Sequence, residues 1–145
     1  MKRAGVYHFK DQLIVSPKNQ TVDGIWEEQC AFLVEDPESP SSIGSVLRKA
    51  LDESRQGVPK RSWESLQSMS YPALEASGVK TNSAFMKSAK YVAIGEEERE
   101  ITITPYANKG ARGGFTALKD KAQSLTAPDD AALGAAVLAA FADTV

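Results

Sequence analysis

Metal and disulfide chemistry are short of material in this chain. It holds one cysteine, Cys30, and one histidine, His8, among 145 residues. A lone cysteine cannot close an internal disulfide, which excludes the stapled secreted scaffolds. A metal centre needs several His, Cys or carboxylate ligands converging, and His8 and Cys30 are each alone in their kind. His8 alternates with Tyr7 and Phe9 in a strand pattern, and Cys30 sits in an apolar run as a small core residue would. A Cys–His catalytic pair would have to be these two, since there is no second histidine to try. No metal, cofactor or catalytic residue is expected.

Charge of one sign is also scarce. Seventeen basic residues face nineteen acidic ones, for a net charge of −2 and an isoelectric point near 5.5. That balance gives no global reason to expect nucleic acid or an anionic membrane as partner. Long hydrophobic runs are absent too. The basic start, Met1-Lys2-Arg3, is not followed by the about 7–15 apolar residues of a secretory signal. Nothing approaches the roughly 20 apolar residues of a membrane span. The expectation is a protein that works in the cytoplasm, where it is made. Phosphate-cradling loops are missing as well: Asn108-Lys109-Gly110-Ala111-Arg112-Gly113-Gly114 is glycine-rich and basic, but its spacing fits neither the P-loop nor the dinucleotide fingerprint. It reads as a flexible connection between two strands.

What is present is ordinary globular material, 42% hydrophobic and 25% charged, and an internal similarity. Residues 24–51 align without a gap to residues 114–141 at an offset of 90. Gly24 meets Gly114, Ile43 meets Leu133, Gly44 meets Gly134, Ala50 meets Ala140 and Leu51 meets Phe141. Upstream, Leu13-Ile14-Val15-Ser16-Pro17 matches Ile101-Thr102-Ile103-Thr104-Pro105 at an offset of 88. The expected architecture is α+β: two pseudo-repeated antiparallel meanders, each followed by a helix, joined by a helical linker. The repeats span about 4–54 and 90–143, the linker about 55–89, and the whole of 1–145 is expected to form one domain.

The strand runs of the first half are 6–9 and 12–15, joined by a polar Lys10-Asp11 turn and ended by Pro17 to Asn19. One or two more follow in 22–28 and 30–34. The second half offers 91–94, 100–104, 115–118 and a weaker run at 122–125. The helices are plainer. Ile43, Val46, Leu47, Ala50 and Leu51 share one helical face after a cap at Pro40-Ser41-Ser42. Leu133, Ala136, Val137, Ala140 and Phe141 repeat that spacing after Pro128-Asp129-Asp130, in a helix apolar nearly all round that should pack on more than one side. In the linker, Gln56 to Pro59 is a turn or loop, and Trp63, Leu66, Met69 and Leu74 mark a helical stretch. Gly78 stops it, and Thr81 caps a short helix with Ala84, Phe85 and Ser88 inward.

One charge pattern stands out. Between Asn19 and Leu47 there are six acidic residues and no basic one: Asp23, Glu27, Glu28, Glu35, Asp36 and Glu38. Glu96-Glu97-Glu98 adds a second acidic cluster. Such a face is either merely solvated or meets a basic partner, steering its approach electrostatically.

The residues also carry a family resemblance. Lys2 to Tyr7 with Leu13-Ile14-Val15, then Gly78-Val79-Lys80, Ser83-Ala84-Phe85 and Lys87 to Lys90, then Asn108, Gly110-Ala111-Arg112 and Gly114-Phe115, resemble the blocks of contact-dependent growth inhibition (CDI) immunity proteins, the CdiI family. The resemblance covers essentially the whole chain. It implies a cytoplasmic, non-enzymatic inhibitor that binds the C-terminal toxin domain of a CdiA-type surface protein one to one, the toxin often being a nuclease. No catalytic residue is carried over. The acidic segment is the expected contact surface, because a nuclease presents a basic substrate surface. The alternative, from topology, is a Whirly-like single-stranded nucleic-acid-binding protein, but that function wants a basic groove with exposed aromatics.

Overall fold

A computed structural model describes residues 1–60, 62 and 71–145. The helical stretch expected around Trp63, Leu66 and Met69 lies outside the described residues. The architecture is α+β: a curled, almost wholly antiparallel sheet with helices on both faces.

Two hairpins build the centre. β1 (Lys2–Phe9) and β2 (Gln12–Thr21) turn at Lys10-Asp11, while β6 (Lys90–Glu97) and β7 (Glu100–Asn108) turn at Glu98-Arg99. The first residue of each turn has a positive φ, 54° at Lys10 and 58° at Glu98. β1 and β6 lie side by side, with Val6 opposite Val92. On the outer flank of β2 run β3 (Trp26–Glu28), β4 (Phe32–Leu33) and β5 (Gln56–Val58). On the outer flank of β7 run β8 (Phe115–Ala117) and β9 (Gln123–Thr126). Residues 2–53 run through four strands to a helix; residues 90–141 also hold four strands and a closing helix, but with a helical turn at 110–113 and a 3-10 turn at 119–121 between the strands.

Period-two alternation decides what each face buries. Ala4, Val6, Leu13, Val15, Val92, Ile94, Ile101 and Ile103 face α1 (Pro40–Glu53) and the C-terminal helix Asp130–Phe141. Those helices supply Ile43, Leu47, Ala50 and Leu51 from one side and Leu133, Val137, Ala140 and Phe141 from the other. The opposite parity, Tyr7, Phe9, Ile14 and Tyr91, meets α2 (Pro72–Ser77) and α3 (Asn82–Met86) through Ala73, Leu74, Phe85, Met86 and Ala89. A single helical turn, α4 (Gly110–Gly113), follows β7, a 3-10 turn spans Lys119–Lys121, and the C-terminal helix is α5.

Several expectations are corrected. Pro17 to Asn19 does not end the second strand, which continues to Thr21, and Pro105 likewise lies inside β7. The Pro17 carbonyl accepts from Gln29 N at 2.9 Å and the Pro105 carbonyl from Leu118 N at 2.9 Å. A strand residue turns its nitrogen to the same side as its carbonyl. Each missing N–H therefore faces the break between two short outer strands, where no ladder bond is lost. Gln56–Val58 is a strand parallel to β2 rather than a loop. The helix caps are Ser39, accepting from Ser42 N, and Asp129, accepting from Ala132 N. In α3, Phe85 and Met86 are buried while Ala84 and Ser88 are exposed. The Asn108–Gly114 segment is a helical turn, not a flexible connection. The Asn108 side chain donates to the Met86 and Ala89 carbonyls and accepts from Gly110 N, so it fastens the end of α3 to the start of α4. α5 packs on α1 and on the sheet, but Ala131, Ala132, Ala135 and Ala139 leave its outer side exposed.

Candidate functional site

The six acidic residues do not form one surface. Asp23 is exposed at the β2–β3 turn, where Thr21 Oγ1 donates to it and Lys60 Nζ lies 3.7 Å away. Glu27 and Glu28 are neighbours on β3 and so point to opposite faces. β3 pairs with Lys18 to Gln20, near the end of β2, whereas β4 pairs with Ile14 and Val15, nearer its start. Glu35, Asp36 and Glu38, all exposed, follow β4 and are thereby separated from Asp23 and Glu27.

Glu28 has an internal job. Its Oε2 accepts the Tyr7 hydroxyl at 2.6 Å and its Oε1 accepts the Ala73 backbone N–H at 2.9 Å. Ala73 lies in the first turn of α2, whose cap residue Tyr71 provides no side-chain acceptor. A carboxylate from β3 therefore satisfies an orphan donor at a helix start. Burial, helped by the Glu28 charge, pushes the Tyr7 hydroxyl well above its ordinary value, and the same two causes push Tyr71 up to about 12. Both phenols stay neutral donors at physiological pH.

Beyond α2 the same sheet face opens into a groove of 560 Å³. Its floor is low because Ala93 and Gly95 carry little or no side chain. Tyr91 lies across Gly5, so close that a Cβ there would stand 2.5 Å from the Tyr91 hydroxyl. The Lys18 ammonium sits 5.0 Å from the Tyr91 ring centre, and the Arg3 guanidinium 4.9 Å from that of Trp26. Burial works against the Lys18 charge, but Tyr91 and Glu28 more than offset it and leave its pKa raised. Thr102, Thr104 and Tyr106 form one wall, and Glu97, Glu98 and Glu100 close one end. Among the described residues neither Arg3 nor Lys18 has an ion-pair partner. Of these groove residues only Glu97 and Glu98 read in the sequence as part of a charged cluster; Arg3, Thr102 and Thr104 enter through the family resemblance and the internal similarity. The available signal was parity: Arg3, Gly5, Lys18, Ala93, Gly95, Thr102 and Thr104 are the small or polar alternates of four half-apolar strands.

A second cavity, 550 Å³, lies on the helical side between the β4–α1 loop and α5. His8, Asp11, Asp36, Pro37, Glu38 and Leu138 line it. His8 packs 5.7 Å from the Phe141 ring. Burial, then the nearby Lys90, lowers its pKa against the opposing pull of Asp11, so it is neutral at pH 7. Cys30 is elsewhere, with its thiol near Gln29 and Glu53 and its pKa raised by burial and by Glu53. The two residues of the one conceivable Cys–His pair are not brought together. Among the described residues no three His, Cys, Asp or Glu side chains converge as metal ligands. No described helix is long and apolar enough to cross a membrane.

The two concave surfaces described differ in charge: the groove sets Arg3 and Lys18 beside three glutamates, and the second cavity carries three carboxylates. A family profile described as "CdiI: CDI immunity protein" matches residues 27–144, and the chain belongs to this family of contact-dependent growth inhibition immunity proteins. The fold is shared with solved structures of low identity. One is a protein of unknown function from Neisseria meningitidis, 17% identical, with a TM-score of 0.76 over 99% of this chain and 95% of that one. Another is the "CdiA-CT/CdiI toxin and immunity complex from Yersinia pseudotuberculosis", 17% identical, with a TM-score of 0.80 over 99% and 97%. No curated protein matches.

Proposed function

We propose that this protein is the cytoplasmic antidote to one CDI toxin, binding the C-terminal domain of a CdiA-type surface protein one to one and blocking it without catalysis of its own. The observation that carries the reading is the family match over residues 27–144, together with an end-to-end likeness to a chain from a toxin–immunity complex. The side-chain inventory agrees with a stoichiometric inhibitor: the candidate nucleophile Cys30 has a pKa raised by burial and by the Glu53 carboxylate beside it, so its thiol stays protonated, and it is not paired with His8.

The toxin in this reading is a nuclease, whose substrate surface is basic. The acidic contact surface is then Asp36 and Glu38 with Asp11, all exposed around one cavity, and the exposed Glu35 next to Asp36 in the chain. Asp23 and Glu27, at the other end of β2, add to long-range steering rather than to that contact. Glu28 is excluded from it by its bonds to Tyr7 and Ala73. The groove is the second reading of the contact surface. It is favoured by two cations without an ion-pair partner among the described residues, in one groove with three glutamates, an arrangement for a partner segment carrying both signs.

Growth supplies the test. Expressing the toxin domain encoded next to this protein should arrest cells and degrade nucleic acid, and co-expression of this protein should abolish both. Arrest that persists despite soluble protein contradicts the proposal. Retention of the protein on a single-stranded nucleic-acid column at moderate salt would favour the Whirly-like alternative instead.

A further inference from the structure

The two long helices are built alike, and one difference between them points to a binding site. Arg48 stands nine residues after the Ser39 cap of α1, and Leu138 stands nine residues after the Asp129 cap of α5. The Arg48 guanidinium bonds two groups: the Glu96 carboxylate at 2.9 Å and the Pro128 carbonyl at 3.1 Å. Glu96 is the seventh residue of β6, and Pro128 directly precedes the cap of α5. The residues in the corresponding places of the other half are His8, seventh in β1, and Glu38, directly before the cap of α1.

Those residues line the second cavity. Where one half of the molecule has an arginine in its seat, the other has Leu138, a shorter side chain, and 550 Å³ of space bordered by His8, Asp11, Asp36 and Glu38. Three carboxylates are in the lining, with no lysine or arginine, and His8, its pKa lowered by burial and Lys90, is its one titratable nitrogen. An arginine in this seat would meet the Glu38 carbonyl where Arg48 meets that of Pro128; His8 stands in the place of Glu96, and the carboxylates come instead from Asp11, Asp36 and Glu38 around the cavity. The planar fork of a guanidinium suits such a set better than the point charge of a lysine.

We infer that this cavity receives an arginine side chain of the toxin, an assignment that rests on the immunity reading above. The cavity is where an exposed acidic loop meets a hollow on the helical layer large enough for a side chain from outside. The arginine enters between the loop and α5, its stem along Leu138 and its head against Asp36 and Glu38. Such a contact acts mainly on dissociation, because a seated ion pair must be broken before the partner leaves.

Two measurements test it. In the first, the free protein is titrated with N-acetyl-arginine methylamide and with its citrulline counterpart, following His8 and Leu138 by NMR. A saturable shift with the arginine compound alone, lost in the Asp36→Asn/Glu38→Gln double variant, is expected. Equal shifts with citrulline, or none with either, overturn the assignment. In the second, toxin binding is compared for wild type, the double variant and Leu138→Arg. The double variant removes only exposed charges. Leu138→Arg supplies the guanidinium from within. Both should raise Kd about tenfold or more, mainly through faster dissociation. Wild-type affinity in both variants overturns this site and leaves the immunity reading standing. No binding of the wild type to its toxin overturns that reading, and this site with it.

Discussion

Gly44 on α1 and Gly134 on α5 touch the opposite helix in the same way. A Cβ on Gly44 would lie 1.8 Å from the Asp130 carbonyl oxygen, and a Cβ on Gly134 would lie 1.8 Å from that of Pro40. Each glycine thus sits against the first residue of its neighbour helix, both in right-handed helical backbone, so what is required is space rather than an unusual φ. The sheet-facing stripes of both helices, Ile43, Leu47 and Leu51 with Leu133, Val137 and Phe141, then reach one common core.

Alanine at either position should force the helices apart. Overpacking in a well-packed interior costs about 1–3 kcal/mol, and here the obstruction is backbone, which cannot rotate away. Gly44→Ala and Gly134→Ala are each expected to lower the denaturation midpoint. The double variant should cost less than the sum of the two, because one separation relieves both clashes. Unchanged midpoints in chemical denaturation would show that the helices are not in this contact.

Glu28 should behave as a structural residue, unlike Glu27 beside it. Glu28→Ala leaves the Tyr7 hydroxyl and the Ala73 N–H without their acceptor, a loss of about 1–3 kcal/mol for unsatisfied groups. Faster hydrogen exchange is expected through 72–77, and the Glu28→Gln variant, which keeps an acceptor oxygen, should restore part of the protection. Glu27→Ala should leave exchange there unchanged. Equal behaviour of the two alanine variants would contradict the placement.

His8 gives a pH handle, and as the only histidine its ring signals are unambiguous. Burial and Lys90 lower its folded-state pKa. The unfolded chain therefore binds the proton first as pH falls, and stability falls with it below about 6.5. Above that value the contribution is fully present. An NMR titration should give a midpoint below the free-histidine value, and His8→Gln should flatten the loss of stability on the acid side of neutrality. A midpoint above the free value would mean that the carboxylates around the ring outweigh its burial.

Much of the fold was legible because it follows from periodicity. Ile43 with Leu47 and Leu133 with Val137 mark helices by spacing alone, and the paired hairpins show in alternation. The misses have local causes. Pro17 looks like a strand end because a proline breaks a ladder only if its nitrogen faces a neighbour, and that depends on where Gln29 returns. β5 is three residues without a pattern of its own. The acidic segment looked continuous because sequence order ignores that β3 and β4 pair with different stretches of β2. Glu28 could be separated from Glu27 by parity, but its partner Ala73 lies 45 residues away. The groove was hidden because small and polar alternates on a strand ordinarily mean a solvated face. Ala93 and Gly95 on β6 become a floor beside Arg3 only once β1 and β6 are known to be adjacent.

The central claim is a dedicated complex with one toxin, and direct calorimetry against the C-terminal domain encoded beside this protein tests it most simply. The account predicts one-to-one binding with nanomolar affinity, about −12 kcal/mol, and an association rate, followed separately, that falls as salt is raised. A non-cognate toxin domain should give no heat. No detectable binding to the cognate domain at micromolar concentrations, or equal binding to unrelated toxins, would contradict it.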